Sequence, residues 1–437
     1  SKPREESTNA MRLRQRCDQF NALHSQISAQ GINPYFRPIA KSWGAEVEIG
    51  GKRLVMIGSN DYLGFSHDPR VMDASAKAVY QWGTGPGGSR FLSGNMVLHH
   101  LLEERLAAFV GKRSAVVHVT GFSANLGALG VLVMPSDTVL CDRENHASIF
   151  EGVKNTKARL STFAHNDAAH ALARVEAIKA NRPDNDLFLV TEGVFSMSGE
   201  LAPLDEIAAV KDAHPDVIFY LDDAHGLGVF GRGGRGSADH FRITDKVDFI
   251  MGTFSKSMAS IGGFIASDDE DMLRYLRYQS RTQIFSAALP AANTAAVLTC
   301  LDILEREPER VDRLHEVTGR MRQAYKSIGL RIGASSSPII PIIIGSDEKA
   351  FQFSQALFEA GVFALPAVYP AVPRGQALIR TAYMSTHQDR QLDFVLEVLD
   401  RLAKEFRIRE CDIEDEPQPT DGDDEGEAAA KSKLSYL

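Results

Sequence analysis

The chain has 437 residues, 44% of them hydrophobic and 24% charged, with a formal net charge of −9. These proportions exclude a wholly disordered chain, a collagen and a coiled coil, and the length implies two or three domains. The longest apolar stretches, Leu126–Pro135 and Pro338–Gly345, fall short of the roughly 20 residues a membrane-spanning helix needs.

No charged-then-apolar signal segment opens the sequence. Cys17, Cys141, Cys300 and Cys411 lie far apart without a CxxC pair, which argues against a disulfide framework or a zinc site and points to a reducing cytoplasm. The charge is uneven. Residues 411–437 carry nine acids against Lys431 and Lys433, so this stretch is −7 and residues 1–410 are only −2. The body has no basic surplus for nucleic acid. The tail, rich in Pro, Gly, Asp and Glu, is expected to be disordered and solubilising, with a docking role as the sharper alternative.

The first residues are basic: Lys2, Arg4, Arg12, Arg14 and Arg16 face only Glu5 and Glu6. Residues 11–30 are expected to form an arm helix that touches a partner subunit. Gly85-Pro-Gly-Gly-Ser-Arg90 is a flexible turn; it is not a Walker loop, because no Gly-Lys-Ser/Thr follows. Leu101, Leu102, Leu106, Phe109 and Val110 recur at helical spacing, and Ala115–Val119 reads as a strand. After Thr120-Gly121 comes a helical stretch, Ser123–Val133. Thr138–Cys141, Leu187–Thr191, Val217–Leu221 and Asp248–Met251 are short apolar runs without alternation, as expected of strands buried on both faces of a mostly parallel sheet covered by helices. This is α/β architecture, in which ligands bind outside the carboxyl ends of the strands. The pattern changes near Pro290. Helices are expected over Ala291–Leu304, Val311–Ile328 and Arg390–Phe406, and strands over Pro338–Ile344 and Ala377–Thr381, forming a smaller α+β domain. No internal repeat is present.

The polar residues that close these strands carry the chemistry. Lys256 stands in Gly252-Thr-Phe-Ser-Lys-Ser257, after an apolar strand and before Gly262-Gly263. A lone lysine is ordinarily a solvated surface charge; a lysine beside a buried strand can lose its proton and form a Schiff base. Thr253, Ser255 and Ser257 offer hydroxyls for a phosphate. Asp222, in Asp222-Asp-Ala-His-Gly226, closes its strand 34 residues upstream. A metal ligand, a general base and the partner of a ring nitrogen all suit that place. Beside a Schiff-base lysine the third role is best, since an aspartate keeps a pyridinium nitrogen protonated. A zinc reading of Asp222 and His225 lacks further ligands at usable spacing, and no metal is expected. His146, at the end of another strand, is by itself more often structural; at that place it can stack on a flat ring and donate a proton. Thr120-Gly-Phe-Ser-Ala-Asn125 lies between a strand and a helix, whose first amides would favour a phosphate.

In this order the motifs resemble those of the α-oxoamine synthases, a branch of the fold-type-I enzymes that use pyridoxal 5'-phosphate (PLP). The resemblance runs from about Asn60 to His387. It rests on Ser59–Gly64, Gly87–Arg90, Thr120–Asn125, Asn145–Ile149, Glu192–Met197, Asp222–Gly226, Gly252–Ser257 and Ile379-Arg380. It implies a Schiff-base role for Lys256, a pyridine-nitrogen partner in Asp222, His225 near the ring hydroxyl, and His146 stacked on the ring. It further implies phosphate contacts from Thr253, Ser255 and the backbone of Gly121 and Phe122, and places Ser196 near the ring oxygen. Ser286, in Ile284-Phe-Ser-Ala287, matches a phosphate contact lent by the partner subunit of a homodimer. Asn60 and Arg380 match groups near the amino-acid carboxylate, and His146, Ser89 and Tyr62 are candidates for contact with the substrate side chain. Two positions depart from the family: Asp223 stands where Glu is usual, and Phe122 where Tyr or His is common.

The implied domains are an N-terminal arm and small segment (1–58), a large PLP-binding domain (59–290), a small C-terminal domain (291–410) and the acidic tail (411–437). The implied reaction joins an amino acid to an acyl thioester with loss of CO₂. Within the family the motifs are most similar to those of bacterial serine palmitoyltransferases, which implies L-serine and an acyl-CoA or carrier-protein thioester, a lipid product and peripheral membrane contact. Synthases acting on alanine or glycine are the rivals, together with a catalytically silent partner subunit, against which Lys256 argues. Phe91, Leu92, Val372 and Tyr383 are candidates for an acyl groove, with core packing as the plainer alternative.

Overall fold

The computed structural model describes residues 6–29 and 31–410. The acidic tail, Lys2 and Arg4 lie outside them. The arm is one helix, α1 (Glu6–Ala29), longer at its start than the expected 11–30. Three antiparallel strands follow: β1 (Ile39–Ser42), β2 (Glu46–Ile49) and β3 (Lys52–Met56). Helices α2 (Pro69–Trp82) and α3 (Val97–Val110) then lead into the main sheet.

That sheet has seven strands: β4 (Ser114–His118), β5 (Thr138–Asp142), β6 (Arg159–Phe163), β7 (Leu187–Glu192), β8 (Ile218–Asp222), β9 (Phe249–Thr253) and β10 (Gly263–Ser267). Their spatial order is β4-β10-β9-β8-β7-β5-β6. All neighbours are parallel except those of β10, which runs antiparallel to both β4 and β9. Every residue of β5, β7 and β9 is buried. Unbroken apolar runs are what strands covered on both faces require, because neither face meets water.

One consequence positions the site. The parallel strands β5, β7, β8 and β9 all end at the same edge. Antiparallel β10 begins there, with Gly263 paired to both Thr253 and His118. Helix α4 (Gly121–Leu132), which follows β4, therefore starts at that edge too. Helix α5 (Ala147–Lys154) starts just beyond the end of β5.

A second, antiparallel sheet is built from β11 (Ile339–Gly345), β13 (Leu365–Ala367) and β14 (Ala377–Ala382), with β14 central. Between them in sequence, β12 (Val362–Phe363) pairs in parallel with β3, which ties the N-terminal strands to the C-terminal part of the chain. Helices Glu309–Ser327, Asp347–Glu359 and Asp389–Glu405 cover this sheet. Their apolar faces close a core around Tyr325, Ile340, Phe353, Ile379 and Leu399, separate from the cores on the two faces of the main sheet. Among the described residues no helix is long and apolar enough to cross a membrane.

Candidate active site

The carboxyl edge of the main sheet opens into a cavity of ≈ 600 Å³. It is lined by residues from four strand ends and both helix starts, among them Lys256, Asp222, His225, His146, Thr253, Ser255 and Ser196, with Gly121 and Phe122. Asn60 comes from the N-terminal side, and Arg380 from β14 of the second sheet. Twelve of the residues singled out in the sequence thus meet on one surface, counting those nine with Asn60, Arg380 and Gly262.

At one end the cavity is an anion cradle. Thr120 caps α4: its hydroxyl accepts from the Ser123 amide at 2.9 Å, and its carbonyl accepts from the Ala124 amide at 3.0 Å. The amides of Gly121 and Phe122 are left without an intrahelical partner at the positive end of the helix. Opposite them, the hydroxyls of Thr253 and Ser255 lie 3.0 Å apart. Contact here demands glycine. A Cβ on Gly121 would lie 2.7 Å from the Thr253 hydroxyl, and one on Gly263 would lie 2.8 Å from the Gly121 Cα. Two hydroxyls and two amides converging on one space form a donor set for a phosphate.

At the other end, charge is balanced by burial. Burial pushes the Lys256 ammonium below its ordinary pKa, against the pull of Asp222 and Glu192. Asp222 is 4% exposed and hydrogen-bonded at both oxygens: the Ala224 amide donates to Oδ1 at 3.0 Å, and Asn125 Nδ2 donates to Oδ2 at 2.7 Å. Burial, then the charge of Lys256, holds His225 well below the ordinary histidine pKa, so it is neutral. Its Nδ1 lies 2.7 Å from the hydroxyl of Tyr62, which burial raises to about 12. Asn60 Oδ1 accepts from Tyr62 at 3.2 Å and from Arg380 Nη2 at 2.8 Å. Arg380 Nε donates to the Ser196 carbonyl at 2.7 Å. The guanidinium is thereby aimed from the second sheet at the edge of the first.

Ser89 and Ser286 do not reach this cavity within one chain. Ser89 is buried with its hydroxyl unpaired. Ser286 lines a small separate cavity beside Arg90 and Gln283. The two segments touch, since the Ala288 amide donates to the Gly88 carbonyl at 2.9 Å. The acyl-groove candidates divide. Tyr383 is not a groove residue: it is fully buried, with its hydroxyl 2.6 Å from that of Tyr325, because β14 points it into the second core. Val372 is buried in a small cluster with Ala367 and Leu378, against which Met197 packs. Phe91 and Leu92 are exposed.

Three residues were passed over as individuals although each stands inside a quoted motif. Glu192 lines the cavity, and its carboxyl is raised well above the ordinary range by burial and then by Asp222. Asn125 and Ser148 link Asp222 to His146. Their motif positions were the available signal; Asn125 meets Ser148 across 23 residues and Asp222 across 97.

A family model for aminotransferase class I and II matches residues 52–399. The chain belongs to that family. It is 44% identical, over 88% of its length and 96% of the relative's, to the serine palmitoyltransferase of Bacteroides thetaiotaomicron. It is 38% identical to the 8-amino-7-oxononanoate synthase of Fervidobacterium nodosum, over 87% of this chain and 96% of that one. Among solved structures, the serine palmitoyltransferase of S. paucimobilis with PLP and myriocin bound superposes with a TM-score of 0.87 at 30% identity, covering 90% of this chain and 99% of that one. The expected α/β architecture, with its mostly parallel sheet, is that of this fold type.

Proposed function

We propose that the protein is a PLP-dependent acyltransferase that condenses L-serine with a long-chain acyl thioester, releasing CO₂ and the thiol and giving 3-ketosphinganine. The observation that carries this reading is the single cavity joining an anion cradle, a half-buried lysine, a buried aspartate and a neutral histidine. Identity to serine palmitoyltransferases that exceeds identity to the alanine-specific relatives supports the choice of substrate pair.

The residues present fit the cofactor. Its phosphate would lie against Gly121, Phe122, Thr253 and Ser255, its ring nitrogen at Asp222, its ring hydroxyl near His225 and Ser196, and its aldehyde at Lys256. Bound there, PLP supplies an electron sink that makes the substrate Cα acidic. Everything else is done by the chain. Asp222, held at both oxygens, keeps a proton on the ring nitrogen. Lys256, with its lowered pKa, is a suitable base and acid for the Cα proton. Arg380, braced by Asn60 and the Ser196 carbonyl, holds the amino-acid carboxylate. His146, which lines the same cavity, would lie against the ring and be placed to meet the thioester carbonyl. The reading includes a homodimer in which Ser286 reaches the phosphate of the partner's site, a cytoplasmic location, and contact with a membrane surface into which a long-chain product would pass.

The test is an absorbance titration of the PLP-loaded protein with L-serine, L-alanine and glycine, followed by turnover with palmitoyl-CoA. Serine is expected to bind tightest and to turn over with the long-chain thioester. Alanine with a pimeloyl thioester, or glycine with acetyl-CoA, would replace this substrate pair with that of a sister enzyme.

A further inference from the structure

We infer that the Ser148 amide holds His146 as the Nε2–H tautomer, that a buried relay, Tyr220–Asn125–Ser148, orients the hydroxyl beside its Nδ1, and that Asn125 is the positioning residue for both that hydroxyl and the carboxylate of Asp222. The inference rests on the reading above that this cavity is the reactive site.

The argument begins at Tyr220, on β8. Its phenol is fully buried and raised well above its ordinary pKa, so it stays neutral and can donate. It donates to Asn125 Oδ1 at 2.8 Å. Asn125 is fully buried on α4, and this contact decides which way its amide faces. The opposite face must then present Nδ2, and both of its hydrogens find acceptors: Asp222 Oδ2 at 2.7 Å and Ser148 Oγ at 2.9 Å. The reverse orientation would set an amide oxygen against a carboxylate that can only accept.

Ser148 Oγ thus accepts from Asn125 and lies 2.8 Å from His146 Nδ1, toward which its own proton is free to turn. The Ser148 amide also donates to Nδ1, at 3.2 Å. A ring nitrogen that receives an N–H and an O–H must offer its lone pair to them. With Nδ1 accepting from the Ser148 amide, the ring carries its proton on Nε2. Held in this way, His146 is a hydrogen-bond donor at Nε2 and has no lone pair there with which to take a proton. Its part is to donate to the developing oxyanion of the thioester carbonyl, and proton removal from Cα is left to Lys256.

One carboxamide does two jobs. The same Nδ2 that orders Ser148 also anchors Asp222, so the ring-nitrogen partner and the ring-covering histidine are aligned by a residue that touches neither substrate nor cofactor.

The experiment is two-bond proton–nitrogen correlation NMR on PLP-loaded protein labelled with ¹⁵N-histidine, with the His146 signals identified by their loss in His146→Gln. This readout needs no substrate, so it is independent of which amino acid the enzyme uses. The wild type is expected to show the Nε2–H pattern. Asn125→Asp puts an acceptor where Ser148 now finds a donor; the Ser148 hydroxyl should turn away, and the His146 Nδ1 signal should move although residue 125 does not touch that ring. Ser148→Ala keeps the amide donor, so it should retain the Nε2–H pattern with a displaced Nδ1 signal; this variant serves if Asn125→Asp does not fold. An Nδ1–H pattern in the wild type would overturn the tautomer. An Nδ1 signal unmoved in a folded Asn125→Asp, or in Ser148→Ala, would overturn the relay.

Discussion

Glu192 and Asp222 are directly paired residues on adjacent parallel strands, both almost fully buried at the floor of the cavity. Two buried carboxyl groups side by side disfavour each other's charge. Asp222 has two hydrogen-bond donors to support its charge. Glu192 accepts from the His146 backbone amide and is pushed well above the ordinary range by burial and by Asp222. The proton therefore stays on Glu192.

A neutral Glu192 has a testable signature. Glu192→Gln keeps the shape and the acceptor for His146, so kcat/KM should change by no more than about threefold, within the range of an ordinary hydrogen-bond alteration. Glu192→Ala leaves the His146 amide unpaired and opens a void, and should lower thermal stability by about 1–3 kcal/mol. Steady-state kinetics and thermal unfolding of both variants check this. A Gln variant that loses most activity would mean that Glu192 is charged or moves a proton.

Lys256→Ala should abolish turnover, because among the described residues no other lysine lines the cavity. Borohydride reduction of the loaded wild type, followed by peptide mass mapping, should place the cofactor on the peptide containing Lys256. Label on a different lysine would remove the residue from its role.

The strand ends were legible because β5, β7, β8 and β9 are continuous apolar runs, each closed by a polar residue. Two strands of the same sheet were not. In β6, Arg159, Ser161 and Thr162 interrupt the run, as suits an edge strand. Gly263–Ser267 reads as a glycine-rich segment, and its glycine is demanded by the packing of α4 rather than by a turn. Side-chain direction was also hidden. Tyr383 follows a strand close to the site, yet the pleat of β14 sends it into the core against Tyr325. Asn125, Ser148 and Glu192 stood inside quoted motifs, but what they touch depends on register between distant strands and helices, which no local pattern records.

His165 gives a pH dependence. It bridges the ends of β5 and the segment after β7, with Nδ1 3.0 Å from Asp142 and Nε2 3.1 Å from Glu200. Burial alone would lower its pKa; the hydrogen bonds and charges of the two acids outweigh that and raise it from 6.5 to about 9. A raised histidine contributes stability that is fully present below its unfolded pKa and is lost as pH rises through the folded one. The wild type should therefore exceed His165→Gln in stability near pH 6.5, by on the order of 1–2 kcal/mol after solvent screening. That margin should shrink as the pH rises from about 6.5 and be gone above about 9. Denaturant unfolding across this range checks it, and a constant margin would mean that the ring is neutral throughout.

The last expectation concerns assembly. Ser89 and Ser286 both lie away from the cavity of their own chain, in touching segments. Around them the surface is unusually apolar: Phe285 is 81% exposed, Leu92 80%, Tyr278 58% and Phe91 49%, with Phe91 edge-on to Tyr278. Large apolar side chains gathered in this way are costly in water and mark a contact surface. If that surface binds a second copy, Ser286 is carried toward the partner's anion cradle and adds a third hydroxyl to it. Sedimentation equilibrium should find a dimer. Phe285→Asp, which sets a charge in the middle of the patch, should shift the balance toward monomer, weaken PLP retention and lower activity together. A monomeric variant that keeps full PLP occupancy and activity would show that each chain holds its cofactor alone, and that Ser286 has no part in the neighbouring site.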